Sequence, residues 1–511
     1  MRPSLKLNVV ASFGGRGLNG LLSFLFVPVY VRLLGVESYG LIGFFATLFA
    51  TLNLLDMGLS STLNRQLARL SALPGEAREQ RDLVRTLEGI YWLMAVTVGV
   101  VLLLVAQFIA RYWINAQNLP LHTVTVAISL MGLVFVFQFP FGLYQGGLMG
   151  LQRHVVLNEI LGVMAVLRSL GAVGVLLWIS RSISAYFIWQ LACSVAQTIL
   201  IRSCLWRSLP QNTDHPHFRK SSLLSIWRFA AGMTGIALVS IVLCNLDKVL
   251  LSKMMPLKEF GYYMVGASVS SGILTLVSPF FLASFPRFSQ MIASGRQEEL
   301  KGTYHLLCQT VSCVVLPVVV VIAFFSPQVV LVWSRNPDLV EHSSLIVRLL
   351  VIGTGINAIM STPYALQLAD GWTKFPFYQN VVSVIILVPL LLVLIRYFGA
   401  AGAAMNWIIL HIGYILVSPH IMHRRLLKTE KWTWYLRDVM VPVAGIVAVG
   451  LAAHLFVPIG NYSLPVQLVT LGGIWTVALL SAVALSPNVR RMTGVQWRRL
   501  RGLYYPEGNR V

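Results

Sequence analysis

Apolar runs of about twenty residues alternate with short polar stretches from one end of the chain to the other, as in "ISLMGLVFVFQFPFGL" and "VVSVIILVPLLLVLI". A run of that length spans a bilayer as a helix. The pattern predicts fourteen helices, at about 12–33, 39–64, 86–109, 122–147, 159–179, 183–203, 229–252, 260–285, 303–325, 343–368, 376–396, 399–421, 438–457 and 464–485. Prolines at 28, 140, 279, 317, 363 and 389 fall inside these spans and predict breaks or hinges. The expected fold class is an all-α polytopic membrane protein.

Composition agrees. Of 511 residues 57% are hydrophobic and 11% charged, against about a quarter charged in soluble chains. A net charge of +21 could point to nucleic acid, but its distribution points to topology. When loops are assigned alternately, one side collects 28 of the 39 Lys and Arg residues. The other holds Arg32, Arg111, Arg181, Lys253, Lys258, Arg335 and Arg396. The positive-inside rule then puts both termini in the cytoplasm of a plasma (bacterial inner) membrane. The N-terminus lacks the compact apolar core of a cleaved signal, and the basic tail with Trp497, Leu500 and Tyr504 suits a membrane-surface anchor. Cys193, Cys204, Cys244, Cys308 and Cys313 form no CxxC pair, so no metal site is expected.

One pattern occurs twice. "RLLGVESYGLIGFFATL" and "KMMPLKEFGYYMVGASV" align on Gly40 and Gly261, 221 residues apart. That separation accommodates six helices, so it predicts a parallel repeat about an axis along the membrane normal. The expected organisation is a six-helix lobe at 1–204, a cytoplasmic linker at 205–228, a second lobe at 229–423, and two extra helices with a basic tail at 424–511. A cleft between the lobes would open to each side in turn.

Six charges fall more than three residues inside spans: Arg16, Arg168, Lys248, Arg348, Asp56 and Asp247. Each costs about 2.5–3.5 kcal/mol at the bilayer centre if it faces lipid, so some must face an interior. Arg168 is near the middle of its helix and Asp56 is about 13 Å from Arg65 along its own, too deep for either to reach water by stretching. Arg16 lies among Gly14, Gly15, Gly17 and Gly20, which permit bending and close approach. Asp247 and Lys248 are adjacent and point about 100° apart, so they are not expected to serve one site. A basic excess suits an anionic cargo, and arginine forks match phosphate oxygens. "GRGLNG" matches a dinucleotide fingerprint by chance, since no strand precedes it. No P-loop occurs, so no nucleotide or other cofactor is expected. His411 and His454 read as packing residues.

At these residues a resemblance emerges. "FVPVYVRLLGVESYGLIGFFATLFATLNLLDMGLSSTLNRQLAR", "NLDKVLLSKMMPLKEFGYYMVGASV", "FPRFSQM" and "FGAAGAAMNW" resemble the polysaccharide-transporter family of O-antigen and oligosaccharide-lipid flippases, in the multidrug/oligosaccharidyl-lipid/polysaccharide exporter superfamily. The resemblance implies two six-helix lobes around a central cavity and a transporter rather than an enzyme. Its cargo would be undecaprenyl-diphosphate-linked oligosaccharide. It further implies Arg16, Arg168, Lys248 and Arg348 as pyrophosphate or acidic-sugar contacts, Asp56 and Asp247 as counter-charges or H+ or Na+ coupling sites, and Tyr30, Tyr144 and Trp189 as candidates to meet sugar faces. Membrane lipids, a polysaccharide polymerase and chain-length proteins are the implied partners. A peptidoglycan-precursor flippase and a small-molecule antiporter are the alternatives within the superfamily. A membrane glycosyltransferase or polymerase is the remote one, disfavoured by short outer loops with few acids.

Overall fold

The computed structural model describes residues 24–71, 75–210 and 241–492, with single positions at 20, 22, 73, 217, 238 and 239. Arg16 and the basic tail lie outside the described residues. Within them every regular element is a helix: α1 Phe24–Leu34, α2 Val36–Leu52, α3 Leu59–Leu70, α4 Ala77–Tyr112, α5 Leu121–Gly150, α6 His154–Trp178 and α7 Ile183–Ser208. There follow α8 at 241–254, α9 Leu257–Ala293, α10 Gln297–Phe324, α11 Ser326–Ser334, α12 Pro337–Ala369, α13 Lys374–Arg425, α14 Lys431–Phe456 and α15 Leu464–Leu485.

Eleven helices among the described residues are long and apolar enough to cross a membrane. The first and seventh expected spans are only partly described. The eleventh and twelfth form one hydrogen-bonded run, α13, interrupted where Gly399 takes φ 57, ψ −136. Large apolar side chains are widely exposed, Leu104, Trp178 and Phe456 among them, as a lipid solvent requires.

The expected breaks fall elsewhere. Pro140, Pro279, Pro317 and Pro363 all sit inside continuous helices. The expected second span divides instead at "LDMG", where Asn53–Asp56 tightens to a 3-10 turn and Met57 and Gly58 both adopt left-handed φ (47 and 71). A missing N–H can be tolerated within a packed bundle, whereas a left-handed residue redirects the chain.

The chain packs as two units: Met1–Met264 with Asn380–Ile395, and Val265–Gln379 with Arg396–Val511. In the first, Leu63, Tyr91, Phe135, Tyr144 and Leu205 lie in one core; in the second, Phe288, Tyr304, Trp434 and Ala478 do. This division by packing is not the division by repeat, because α8 and the first turns of α9 pack with the first unit. The repeat itself is visible in helix starts. Val36 and Leu257 open α2 and α9, 221 residues apart; Ala77 and Gln297 open α4 and α10, 220 apart; His154 and Lys374 open α6 and α13, also 220 apart.

Within the first unit the two repeated glycines make reciprocal contacts. A Cβ on Gly40 would stand 2.6 Å from the Leu257 carbonyl oxygen, and one on Gly261 would stand 2.4 Å from that of Val36. Each copy's helix start thus fills the groove left by the other's glycine. Glu37 beside this crossing is buried, and its carboxylate accepts the backbone N–H groups of Gln117 and Asn118. Gly40→Ala and Gly261→Ala are each expected to lower stability by about 1–3 kcal/mol. Gly142→Ala, with nothing within 4 Å of the new carbon, should leave it within about 0.5 kcal/mol. Denaturation of the purified protein in detergent measures all three.

Candidate functional site

Arg168 projects from α6 onto a polar stripe of α7. Its Nη1 donates to Gln190 Oε1 at 3.2 Å, and its Nη2 donates to Ser194 Oγ and Gln197 Oε1, both at 2.9 Å. Positions 190, 194 and 197 share one helical face by their spacing and form a ladder of neutral acceptors on α7. Gln190 and Ser194 are themselves oriented, through bonds to the carbonyls of Arg168 (3.5 Å) and Gln190 (2.8 Å). No carboxylate pairs with Arg168 among the described residues. The guanidinium is solvated by dipoles and keeps its full positive charge.

Aromatic side chains frame it. The Tyr30 hydroxyl donates to the Ser169 carbonyl at 3.3 Å, and its ring meets Tyr186 edge-on with centroids 5.4 Å apart. Trp189 donates its indole N–H to the Leu167 carbonyl at 3.1 Å and closes over Gly171, where a Cβ would come within 2.2 Å of the ring. Tyr144, the third aromatic expected at a sugar face, is fully buried. Its hydroxyl is committed to Glu88 at 2.7 Å and to the Trp92 N–H at 3.0 Å, so its ring is core.

The other expected charges divide by how they are answered. Asp56 does not sit in mid-helix. At the α2–α3 break its carboxylate accepts the Ser60 N–H at 3.3 Å and the Ser60 hydroxyl at 2.9 Å, and also the Tyr91 hydroxyl. It serves the free N–H groups at the start of α3, as an acid at a helix N-terminus does. Lys248 folds back to pair with Asp247 at 3.3 Å and donates to the Cys244 carbonyl at 2.6 Å. Four flexible methylenes overcome the 100° divergence of the two positions, and Tyr263 completes the site by donating to Asp247. Arg348 belongs to the second unit, on α12, and its buried Nε has no hydrogen-bond partner. The structure therefore brings Asp247 and Lys248 together. No hydrogen bond or ion pair joins them, Arg168 or Asp56 into a larger cluster among the described residues.

Two clusters were not expected. Glu88 is buried and accepts from Arg202, from Arg85 at 3.2 Å and from Tyr144. Asp438 is wholly buried and accepts from His305 and from Gln309 at 2.8 Å. Both acids stand at the start of expected spans, 86–109 and 438–457, where a charge needs no partner if it reaches water. Arg202 lies 114 residues from Glu88, and His305 lies 133 residues from Asp438. His411 is the packing residue expected, its Nδ1 donating to the Trp407 carbonyl at 2.8 Å.

Residues 5–292 match the family described as polysaccharide biosynthesis protein, and residues 235–393 match the MatE family. The "Putative O-antigen transporter" of Shigella flexneri is 20% identical over 413 residues, 79% of this chain and 94% of that protein. Among solved structures, the lipid II flippase MurJ in an inward closed conformation superposes with a TM-score of 0.70 at 14% identity, over 97% of this chain and 99% of that one. An inward-facing multidrug resistance MATE family transporter of the MOP superfamily gives 0.66 at 14% identity, over 80% and 96%. Likeness at these identities is a likeness of fold.

Replacing Tyr91 by Phe and Asp56 by Asn, singly and together, should reveal a coupling of about 0.5–3 kcal/mol in a denaturation cycle. Strict additivity would mean that the bond contributes nothing to holding the α2–α3 break.

Proposed function

The chain belongs to the polysaccharide biosynthesis protein family, within the multidrug/oligosaccharidyl-lipid/polysaccharide exporter superfamily, and from that premise we propose that it is a flippase, not an enzyme. Its cargo in this reading is undecaprenyl-diphosphate-linked oligosaccharide, an O-antigen, capsule or exopolysaccharide repeat unit. The cargo crosses from the cytoplasmic to the periplasmic leaflet of the inner membrane by alternating access. The relative from Shigella flexneri is described as an O-antigen transporter, which supports the same cargo class.

The observation that carries the reading is Arg168 among neutral acceptors. Hydrogen bonds to a charged group are worth about 1.5–3 kcal/mol net. An anion at about 4 Å gains about 4 kcal/mol per unit charge at an effective dielectric of 20, and a pyrophosphate brings more than one charge. An incoming pyrophosphate therefore outcompetes Gln190 and Gln197 for the guanidinium. A cation already held by a carboxylate, as Lys248 is by Asp247, yields less on binding an anion. In this reading Arg168 is the principal pyrophosphate contact, Arg16 and Arg348 are further cations for the cargo, and Lys248 is a cation that Asp247 must first release. Asp247 is its counter-charge, and Asp56 is an acid available for H+ or Na+ coupling. Tyr30 and Trp189 present aromatic surface beside Arg168.

A basic excess disfavours a small-molecule antiporter for cationic drugs. A peptidoglycan-precursor flippase would use the same undecaprenyl diphosphate, so genetics must separate the two. Deletion of the gene is expected to trap lipid-linked oligosaccharide in the inner leaflet and abolish surface polymer while peptidoglycan synthesis continues. Arg168→Ala, at normal protein level, should reproduce the deletion, and Arg168→Lys should restore part of the flux, because lysine keeps the charge and loses the fork. Normal polymer on cells carrying Arg168→Ala removes Arg168 from the mechanism. Arrest of peptidoglycan instead of polymer reassigns the cargo.

A further inference from the structure

In the second unit, His305 on α10 lies between two carboxylates from a distant part of the chain. Its Nδ1 meets Asp438, and its Nε2 meets Glu430 at 3.2 Å. An ionised carboxylate only accepts, so with both acids ionised both contacts are hydrogen bonds only when both ring nitrogens carry protons. Neutral imidazole has one donor, whichever tautomer it adopts. The geometry is that of an imidazolium.

The surroundings reinforce it. Asp438 is wholly buried on a π-helical turn, Trp434–Met440, a rare geometry that recurs at functional sites. Gln309 Nε2 holds the other Asp438 oxygen at 2.8 Å, and the Ser312 hydroxyl donates to the Asp438 carbonyl at 3.1 Å. Glu430 also accepts from the Thr429 hydroxyl at 2.8 Å and stands 3.9 Å from Lys301, which pairs with Glu298 at 2.9 Å. Burial pushes the Glu430 carboxyl up, but Thr429 and His305 outweigh it, so the group sits below its ordinary value. Tyr304 lies with its ring centroid 5.3 Å from that of His305, and Cys308, one turn along α10 from Tyr304, is buried.

From the end of α13 comes His423, which packs on the far side of Tyr304 at 5.9 Å. It provides an internal contrast. Its Nδ1 donates to the Pro419 carbonyl at 2.8 Å and its buried Nε2 has no partner, which is the pattern of a neutral ring.

We propose that His305 is a proton-binding site that latches the segment from Glu430 to Met440, the entry to α14, onto α10. While the ring keeps both protons, the segment is held at both ends. When pH rises and one proton leaves, the remaining N–H stays with buried Asp438. The Nε2 lone pair then confronts the Glu430 carboxylate, and this end of the latch opens. The proton's site is built from residues that the cargo reading does not use, so the latch stands whether or not the cargo is the one proposed above.

The test uses the full chain with 15N-labelled histidine in lipid nanodiscs. Ring nitrogen shifts are followed from about pH 5 to 9, with His305→Gln to identify the signal. Both His305 nitrogens should be protonated at neutral pH, with one proton lost at higher pH. Glu430→Gln should move that loss down by about one pH unit or more, the scale of a nearby opposite charge. Hydrogen–deuterium exchange of the 430–440 backbone, corrected for intrinsic rates, should rise about tenfold or more across the same transition. If His305→Gln does not fold, the resonance displaced by Glu430→Gln identifies the ring. A His305 ring with one bare nitrogen at pH 6 overturns the proposal. So does exchange in 430–440 that stays constant while the ring loses its proton.

Discussion

Hydrocarbon offers no partner to a charge, so each charged or polar group within these helices must be answered by the chain itself. The answers differ in the net charge they leave. Lys248 receives a carboxylate, and the pair is neutral. Asp56 receives two hydroxyls and a backbone N–H at a helix start. Arg168 receives two amide oxygens and a hydroxyl and stays cationic. Of the three, Arg168 has the arrangement from which an anion can most easily draw the charged group, because its present partners are dipoles that lose little when the guanidinium turns away.

The same constraint governs the backbone. Prolines inside α5, α9, α10 and α12 leave those helices continuous, and near Pro140 the Thr198 hydroxyl donates to the Phe137 carbonyl at 2.6 Å. The chain turns where φ becomes positive, at Met57–Gly58 and at Gly399. The first of these turns leaves the opening N–H groups of α3 inside the bundle, and Asp56 supplies an acceptor there. Charge and backbone break are therefore one feature, and neither would be stable without the other.

Most of the architecture was legible because it is written in local hydrophobicity. Apolar runs located the helices, and the outer-turn pattern around Gly40 and Gly261 located the repeat. What stayed hidden depended on contacts between distant positions. Helical geometry separated Asp247 from Lys248, yet a flexible side chain rejoined them. Tyr144 looked like a ring for a sugar and is core, because Glu88 and Trp92 claim its hydroxyl. Glu88 and Asp438 stood at span edges where water was a sufficient partner, and their burial depends on Arg202 and His305, which no local pattern connects to them.

The repeat also explains why function resists reading by symmetry. Three pairs of helix starts recur at a spacing of 220 or 221 residues, while α5 and α12 start 216 apart, and the same shifts do not carry the chemistry. By the local spacings Arg168 falls on Val388, Asp56 on Val277 and Glu88 on Cys308. The residue beside Cys308, Gln309, contacts a buried acid, Asp438 of α14. The first copy therefore supplies its carboxylate from within α4, while the second receives one from outside the repeat. When His305 loses a proton, Asp438 keeps its bond and Glu430, the residue before α14, is the acid released. Appending α14 gave the second copy a contact that is separable from its fold, and a separable contact is what a latch requires.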